Sequence, residues 1–158
     1  MALNRQSPDR TTAMAVPTPL TPEFAVSTQI TAADFPALAA AGYKTIINNR
    51  PDGEEAGQLT AATARQLAEQ NGLNYVHIPV TMPNLNAATI AQFETALAES
   101  PGPVLAHCKS GTRSCILWAI ATARQPTTSL ADLLSLTAQQ GYNLERLRPL
   151  IEQYAQPE

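Results

Sequence analysis

The sequence predicts an α/β domain with a central, mostly parallel sheet of four to five strands flanked by helices. Three observations predict it. From Glu23 onward, short β-branched or apolar runs alternate with longer amphipathic stretches. Alternation of that kind builds a parallel sheet with helices on both faces. The run Pro103-Val104-Leu105-Ala106 is short and apolar, as a buried strand is. The run Cys115 to Ala121 is apolar on all sides, as a buried helix is.

The elements follow in order. Residues 1–22 carry Pro8, Pro17, Pro19 and Pro22 among serines and threonines, and read as an irregular leader. Residues 23–158 then form a single catalytic domain. Phe24 to Ser27 is a short strand. Thr31-Ala32-Ala33-Asp34 resembles a capping box, and the helix it opens stops at Gly42. Lys44 to Asn48 is a strand rich in Thr and Ile. Thr60 caps an Ala-rich helix that ends near Gly72. Tyr75 to Val80 is a strand. Asn86 caps a helix to about Ser100, with Ile90, Phe93 and Leu97 as its apolar stripe. Val104 to His107 is the central strand, and a turn leads into a helix with Ser114 as N-cap. Ser129 starts another helix, with Leu130, Leu133, Leu134 and Thr137 on one face. Leu144 to Tyr154 is the last helix.

Composition excludes several function classes. The chain has 158 residues, 44% hydrophobic and 15% charged, with a formal net charge of -3. That suits one domain with a substantial core. No Lys/Arg cluster is present, which argues against a nucleic-acid partner. No apolar run is long enough to cross a membrane, and the N-terminus has no secretory pattern. The two cysteines do not make a disulfide scaffold, so a reducing cytoplasm is the expected location. The two histidines, His77 and His107, have no ligand-spaced partners. No metal and no cofactor is expected.

The chemistry concentrates in His107-Cys108-Lys109-Ser110-Gly111-Thr112-Arg113-Ser114. A cysteine at a strand end, then a Gly-containing turn, then a helix N-terminus, points backbone N–H groups and a helix dipole into one small space. An anion is stabilised there, and Cys108 is favoured as the nucleophilic thiolate. Lys109, Ser110, Gly111, Thr112 and Arg113 form the anion-binding loop, with Arg50 as a further anion contact. Arg113 offers a planar fork for oxyanions. Gly111 allows a backbone that other residues resist. Ser114 caps the helix. His107 ends the strand and reads as a buried histidine hydrogen-bonded to backbone. Asp52 is the catalytic proton-transfer candidate, with Glu54 beside it. Cys115 reads as core, with a resolving thiol as the alternative. The segment Val80 to Leu85 has no carboxylate.

His-Cys before the loop and Arg-Ser after it resemble cysteine-dependent tyrosine and dual-specificity phosphatases. That resemblance implies that the Ser114 hydroxyl donates to the Cys108 sulfur and that His107 orients the loop, as the matching residues do there. Those enzymes have five residues between Cys and Arg; this chain has four, from Lys109 to Thr112. A Cys-x-x-Gly-x-Arg loop of that length resembles rhodanese-type sulfurtransferases. A wider resemblance runs through Asn48-Asn49-Arg50-Pro51-Asp52-Gly53-Glu54, His77-Ile78-Pro79-Val80 and the cysteine loop. Over residues 23–154 the chain is similar to the β-lactamase-hydrolase-like phosphatase-like domain family (DUF442), often named a sulfur transferase. The resemblance implies a dual-specificity-phosphatase-like fold. It also implies persulfide chemistry, because the domain occurs fused to persulfide dioxygenases.

The function expected from these readings is a rhodanese-like sulfurtransferase. Cys108 would take sulfur from thiosulfate or a persulfide, hold it as a persulfide and pass it to a thiol acceptor, with a persulfide dioxygenase as a possible partner. The alternative is a nonclassical phosphatase working through phosphocysteine, with Asp52, Glu54 or Glu55 as substitute acid. A second alternative is a non-catalytic module that senses anions or oxidants.

Overall fold

Five strands make one sheet: β1 (Thr18–Thr21), β2 (Phe24–Ser27), β3 (Thr45–Asn48), β4 (Asn74–His77) and β5 (Val104–His107). Their order across the sheet is β1-β2-β5-β3-β4, and all neighbours are parallel except β1 with β2. The computed structural model describes residues 15–155. Six helices complete it: α1 (Asp34–Ala40), α2 (Ala61–Gln70), α3 (Ala87–Glu99), α4 (Thr112–Ala123), α5 (Leu130–Gln139) and α6 (Arg148–Ala155). The α/β fold with its central, mostly parallel sheet is therefore as the sequence predicts. Among the described residues no helix is long and apolar enough to cross a membrane.

Side chains alternate across the sheet because successive residues of a strand face opposite ways. Phe24, Val26, Ile47, Val104 and Ala106 face α3, α4, α5 and α6, where Phe93, Leu117, Leu133 and Ile151 meet them. Ala25, Ile46, Tyr75 and Leu105 face α1 and α2, against Phe35, Leu38, Ala64 and Ala68. Helix α4 lies inside the first layer, with Ser114 to Ala121 buried in unbroken succession. Phe24 joins sheet to helices: it stacks on Trp118 at 6.0 Å and meets Phe93 edge-on at 6.2 Å.

The register is what builds a site. Ser27 and Asn48 both lie beside His107, and His77 lies beside Asn48. The carboxyl ends of four parallel strands are therefore level, and the segments that leave them meet on one edge. Ligands bind at that edge in open α/β sheets. Gln29 N–H donates to Lys109 O at 3.1 Å, and Asn49 N–H to His107 O at 2.8 Å. These bonds tie three of the segments together.

Several elements differ from expectation. Thr18–Thr21, within the stretch expected to be an irregular leader, forms β1, an edge strand, where proline is tolerated; residues 1–14 of that leader lie outside the described residues. The strand expected to Val80 ends at His77, although Val80 N–H still donates to Asn49 O at 2.9 Å. The last helix is broken into a 3₁₀ turn, Glu145–Leu147, and α6, with Pro149 in its first turn. In the Thr31–Asp34 box, the Asp34 carboxylate accepts from Thr31 N–H at 2.7 Å, but the N-cap itself is Ala33, which makes no side-chain cap.

Candidate active site

Strand β5 ends at His107 and α4 begins at Thr112, leaving Cys108 to Gly111 as a tight turn. Gly111 makes the turn possible. Its φ is +95°, in the left-handed region, and a Cβ there would run into the Tyr142 ring. This φ lets Gly111 N–H donate to Cys108 Sγ at 3.1 Å. Cys108 is fully buried at the base of the loop. Tyr142 OH donates to Ser110 O at 3.2 Å on one side, and Gln29 N–H holds Lys109 O on the other. The hydroxyls of Ser110 and Thr112 bond each other at 3.0 Å. The N-cap of α4 is Gly111, not Ser114, because the turn closes three residues before Ser114.

Arg113 sits in the first turn of α4, half-buried. Its Nη1 donates to Glu54 Oε2 at 2.8 Å and to Val80 O at 2.8 Å; its Nη2 donates to Glu54 Oε1 at 3.0 Å. A guanidinium has five N–H groups. The Nε–H and the second Nη2–H remain, and they share one edge of the fork. Glu54 and Val80 thus fix the plane of Arg113 and leave it a two-point donor edge. Its hydrogen bonds to Glu54 are the main reason the guanidinium is held charged, with the neighbouring Cys108 adding to the effect.

Glu54 is the hub of the charge network. Arg50 Nε donates to Glu54 Oε1 at 2.8 Å, so one carboxylate bridges two arginines. The Arg113 hydrogen bonds, and secondarily those of Arg50, hold the Glu54 carboxyl down to about 2 against the opposing effect of burial. Arg50 is almost wholly buried. Its other nitrogens donate to Gln29 Oε1 and Glu55 Oε1, both at 3.2 Å. Arg50 therefore reaches the site but aims its donors at side chains rather than at the loop. Lys109 Nζ lies 3.8 Å from Glu55 Oε2, exposed.

Asp52 is not at the loop. Its Oδ1 accepts from Ala61 N–H at 2.9 Å and caps the head of α2. Ser114 OH donates to Asn49 Oδ1 at 2.8 Å rather than to the Cys108 sulfur. Asn49 Nδ2 in turn donates to Ile78 O at 2.9 Å. This chain of bonds locks α4 to the segments after β3 and β4. His107 is buried and held neutral, its pKa pushed down to about 4 chiefly by burial; Nδ1 is 3.4 Å from Cys108 O. Burial, with Cys108 adding to it, pushes the Cys115 thiol up to about 12, which fits a core residue. Asn49, Tyr142 and Gln29 carry roles that sequence reasoning missed. Asn49 stands within the Asn48 to Glu54 stretch that carries the family resemblance, but that resemblance gives it no role. Tyr142 and Gln29 gave no signal.

Two clefts flank the loop. One, of about 490 Å³, is lined by Glu54, Met82, Pro83, Arg113, Ile116 and Leu147. The other, of about 620 Å³, includes Gln29, Arg50, Glu55 and Lys109. Among the described residues no group of three or more His, Cys, Asp or Glu is placed to hold a metal ion.

Residues 18–125 match the family described as beta-lactamase hydrolase-like protein, phosphatase-like domain. The chain belongs to this family. A beta-lactamase hydrolase-like protein of Agrobacterium fabrum is 41% identical over 112 residues, covering 71% of this chain and 26% of that protein. The chain thus spans about a quarter of that relative's length. A Neisseria meningitidis structure described as a "putative phosphatase" superposes with a TM-score of 0.78 at 33% identity, covering 87% of this chain and 96% of that one. Tk-PTP in its active form superposes with a TM-score of 0.69 at 15% identity, covering 88% and 95%, which shows a common fold. The dual-specificity-phosphatase-like architecture expected of this phosphatase-like domain is what these superpositions give.

They also correct the functional expectation. The sulfurtransferase reading rested on loop length, on the acid-free segment Val80 to Leu85 and on the sulfur-transferase label of the resembling family, whereas the matching family model is phosphatase-like and the 33%-identical Neisseria structure is described as a phosphatase. The physical reason lies in what surrounds the loop. Gly111 closes the short loop with a positive φ, and the plane of Arg113 is set by Glu54 and Val80, which lie outside the loop. Counting residues between Cys108 and Arg113 does not register that frame.

Proposed function

We propose that this domain hydrolyses phosphate monoesters through a phosphocysteine at Cys108. The observation that carries the proposal is the fixed donor edge of Arg113 beside Cys108, at the N-terminus of α4. A phosphoryl group at that point is met by two guanidinium N–H donors, by loop N–H groups and by the positive end of a buried helix. Charge on the equatorial oxygens grows toward the transition state, and donors already fixed in place stabilise it without rearranging.

The reaction divides into two displacements. The Cys108 thiolate attacks phosphorus, an S–P bond forms, and the ester P–O bond breaks with its electron pair on the leaving oxygen. Water then attacks the phosphocysteine. The P–S bond breaks, inorganic phosphate leaves, and Cys108 returns as thiolate. His107 stays neutral and Cys115 stays protonated, so neither competes with Cys108.

The test uses 4-nitrophenyl phosphate and intact mass after rapid quench. The expected result is steady release of nitrophenol and a phosphoryl group on Cys108. Cys108→Ser should abolish both while keeping the circular dichroism of the parent. Substantial turnover by Cys108→Ser, or the absence of any Cys108 adduct in the parent during turnover, would refute the phosphocysteine route.

A further inference from the structure

We infer that this site selects phosphate compounds whose leaving group departs as a stable anion, such as esters of acidic phenols and acyl phosphates, because among the described residues no proton donor is placed at the loop to face the leaving oxygen. The inference rests on the phosphatase reading above and names its substrate class.

Each carboxylate near the loop is otherwise engaged. In the cleft beside Arg113, Glu54 is the carboxylate among the lining residues, and both its oxygens accept from arginines. With its carboxyl held at about 2, it carries no proton to give near neutrality. Glu55 lies in the opposite cleft, between Arg50 and Lys109. Asp52 caps α2. The segment after β4 reaches the Arg113 cleft with Thr81, Met82 and Pro83, none of which carries a transferable proton at this pH except the hydroxyl of Thr81, a very weak acid. His107 is buried and unprotonated. The cleft wall itself is apolar, with Met82, Pro83, Ile116 and Leu147, and Met82 is exposed. A flat apolar group fits against it better than a charged or hydroxylated one.

The bond changes follow. Sulfur bonds to phosphorus, the P–O bond breaks, and the leaving oxygen takes the electron pair and goes into water as an anion, collecting its proton there. A weakly acidic alcohol cannot leave in that way. It forgoes the roughly 10²–10⁴-fold that a positioned acid contributes.

The experiment measures kcat/KM over a series of aryl phosphates graded by phenol acidity, for the parent and for Glu54→Gln. A steep fall with rising phenol pKa is expected for the parent. Glu54→Gln should lower every ester by a similar factor and leave the slope unchanged, because Glu54 positions Arg113 and does not donate a proton. Acetyl phosphate should be hydrolysed faster than any alkyl phosphate. A shallow slope in the parent, or a slope that steepens only in Glu54→Gln, would overturn this inference while leaving the phosphatase reading intact. Failure of every ester and of acetyl phosphate, with no adduct on Cys108, would instead overturn the phosphatase reading.

Discussion

In the proposed reaction Arg113 and Glu54 act as a pair, joined by two hydrogen bonds. The arginine supplies the donors; the carboxylate determines where they point. Replacing Arg113 with lysine keeps the charge but discards the planar fork. A lysine ammonium cannot donate to both oxygens of Glu54 and still present a planar two-point donor edge to a phosphoryl group. Arg113→Lys should therefore weaken transition-state binding by roughly 1–3 kcal/mol, the scale of a charge-assisted hydrogen bond. Stopped-time assays on 4-nitrophenyl phosphate would read this as a lower kcat with inorganic phosphate inhibiting less well. Near-parental kinetics would mean that Arg113 does not touch the reacting oxygens. Cys108, Gly111 and Arg113 were legible because they are neighbours in one short loop. Glu54 and Tyr142 were not legible in these roles, because they meet that loop from 59 and 32 residues away. Side-chain pairing over such separations leaves no local pattern to read.

Helices in this chain announce themselves by their first residues. Thr60, Asn86 and Ser129 each accept from a backbone N–H one turn in, and each was readable as a cap. Strands were harder. Four residues give only two alternations, so β1, with Pro19 inside it, looked like leader. The break before α6 was missed for a related reason, since a 3₁₀ turn keeps much of the helical spacing. Helix α3 offers the cleanest test of a cap. Asn86 and Thr89 form a reciprocal box, with side-chain bonds of 3.0 and 3.2 Å to each other's backbone N–H. Asn86→Ala should cost about 0.5–2 kcal/mol of stability. Because α3 contributes no side chain to the loop, kcat on 4-nitrophenyl phosphate should stay at the parental level. A melting temperature unchanged by the substitution would show that packing of Ile90 and Phe93 alone fixes the helix start.

The sheet places its chemistry at one edge, and it does so by burying the end of β5. That burial connects the site to the stability of the whole molecule. His107 closes β5 with almost no exposure, and its folded pKa is pushed to about 4 from an ordinary 6.5. Between those values the unfolded chain holds a proton on this histidine that the folded chain lacks. Stability therefore rises with pH through that window, is complete above 6.5, and is lost on acidification. Glu54 continues the trend lower down. Its folded pKa of about 2 against 4.5 means that the unfolded chain again binds the extra proton, so the stabilisation from its ion pairs declines as pH falls from 4.5 toward 2. Urea unfolding at steps from pH 7 to pH 3 should show a continuous decline, with each group contributing a slope of at most about 1.4 kcal/mol per pH unit. His107→Asn should flatten the upper part of the decline and leave the part below pH 4.5 in place. The absolute stability of that variant will also change through packing, so the slope is the quantity that decides. An upper slope equal to the parent's would show that His107 is not the group held neutral, and that the buried end of β5 is not what ties folding to pH.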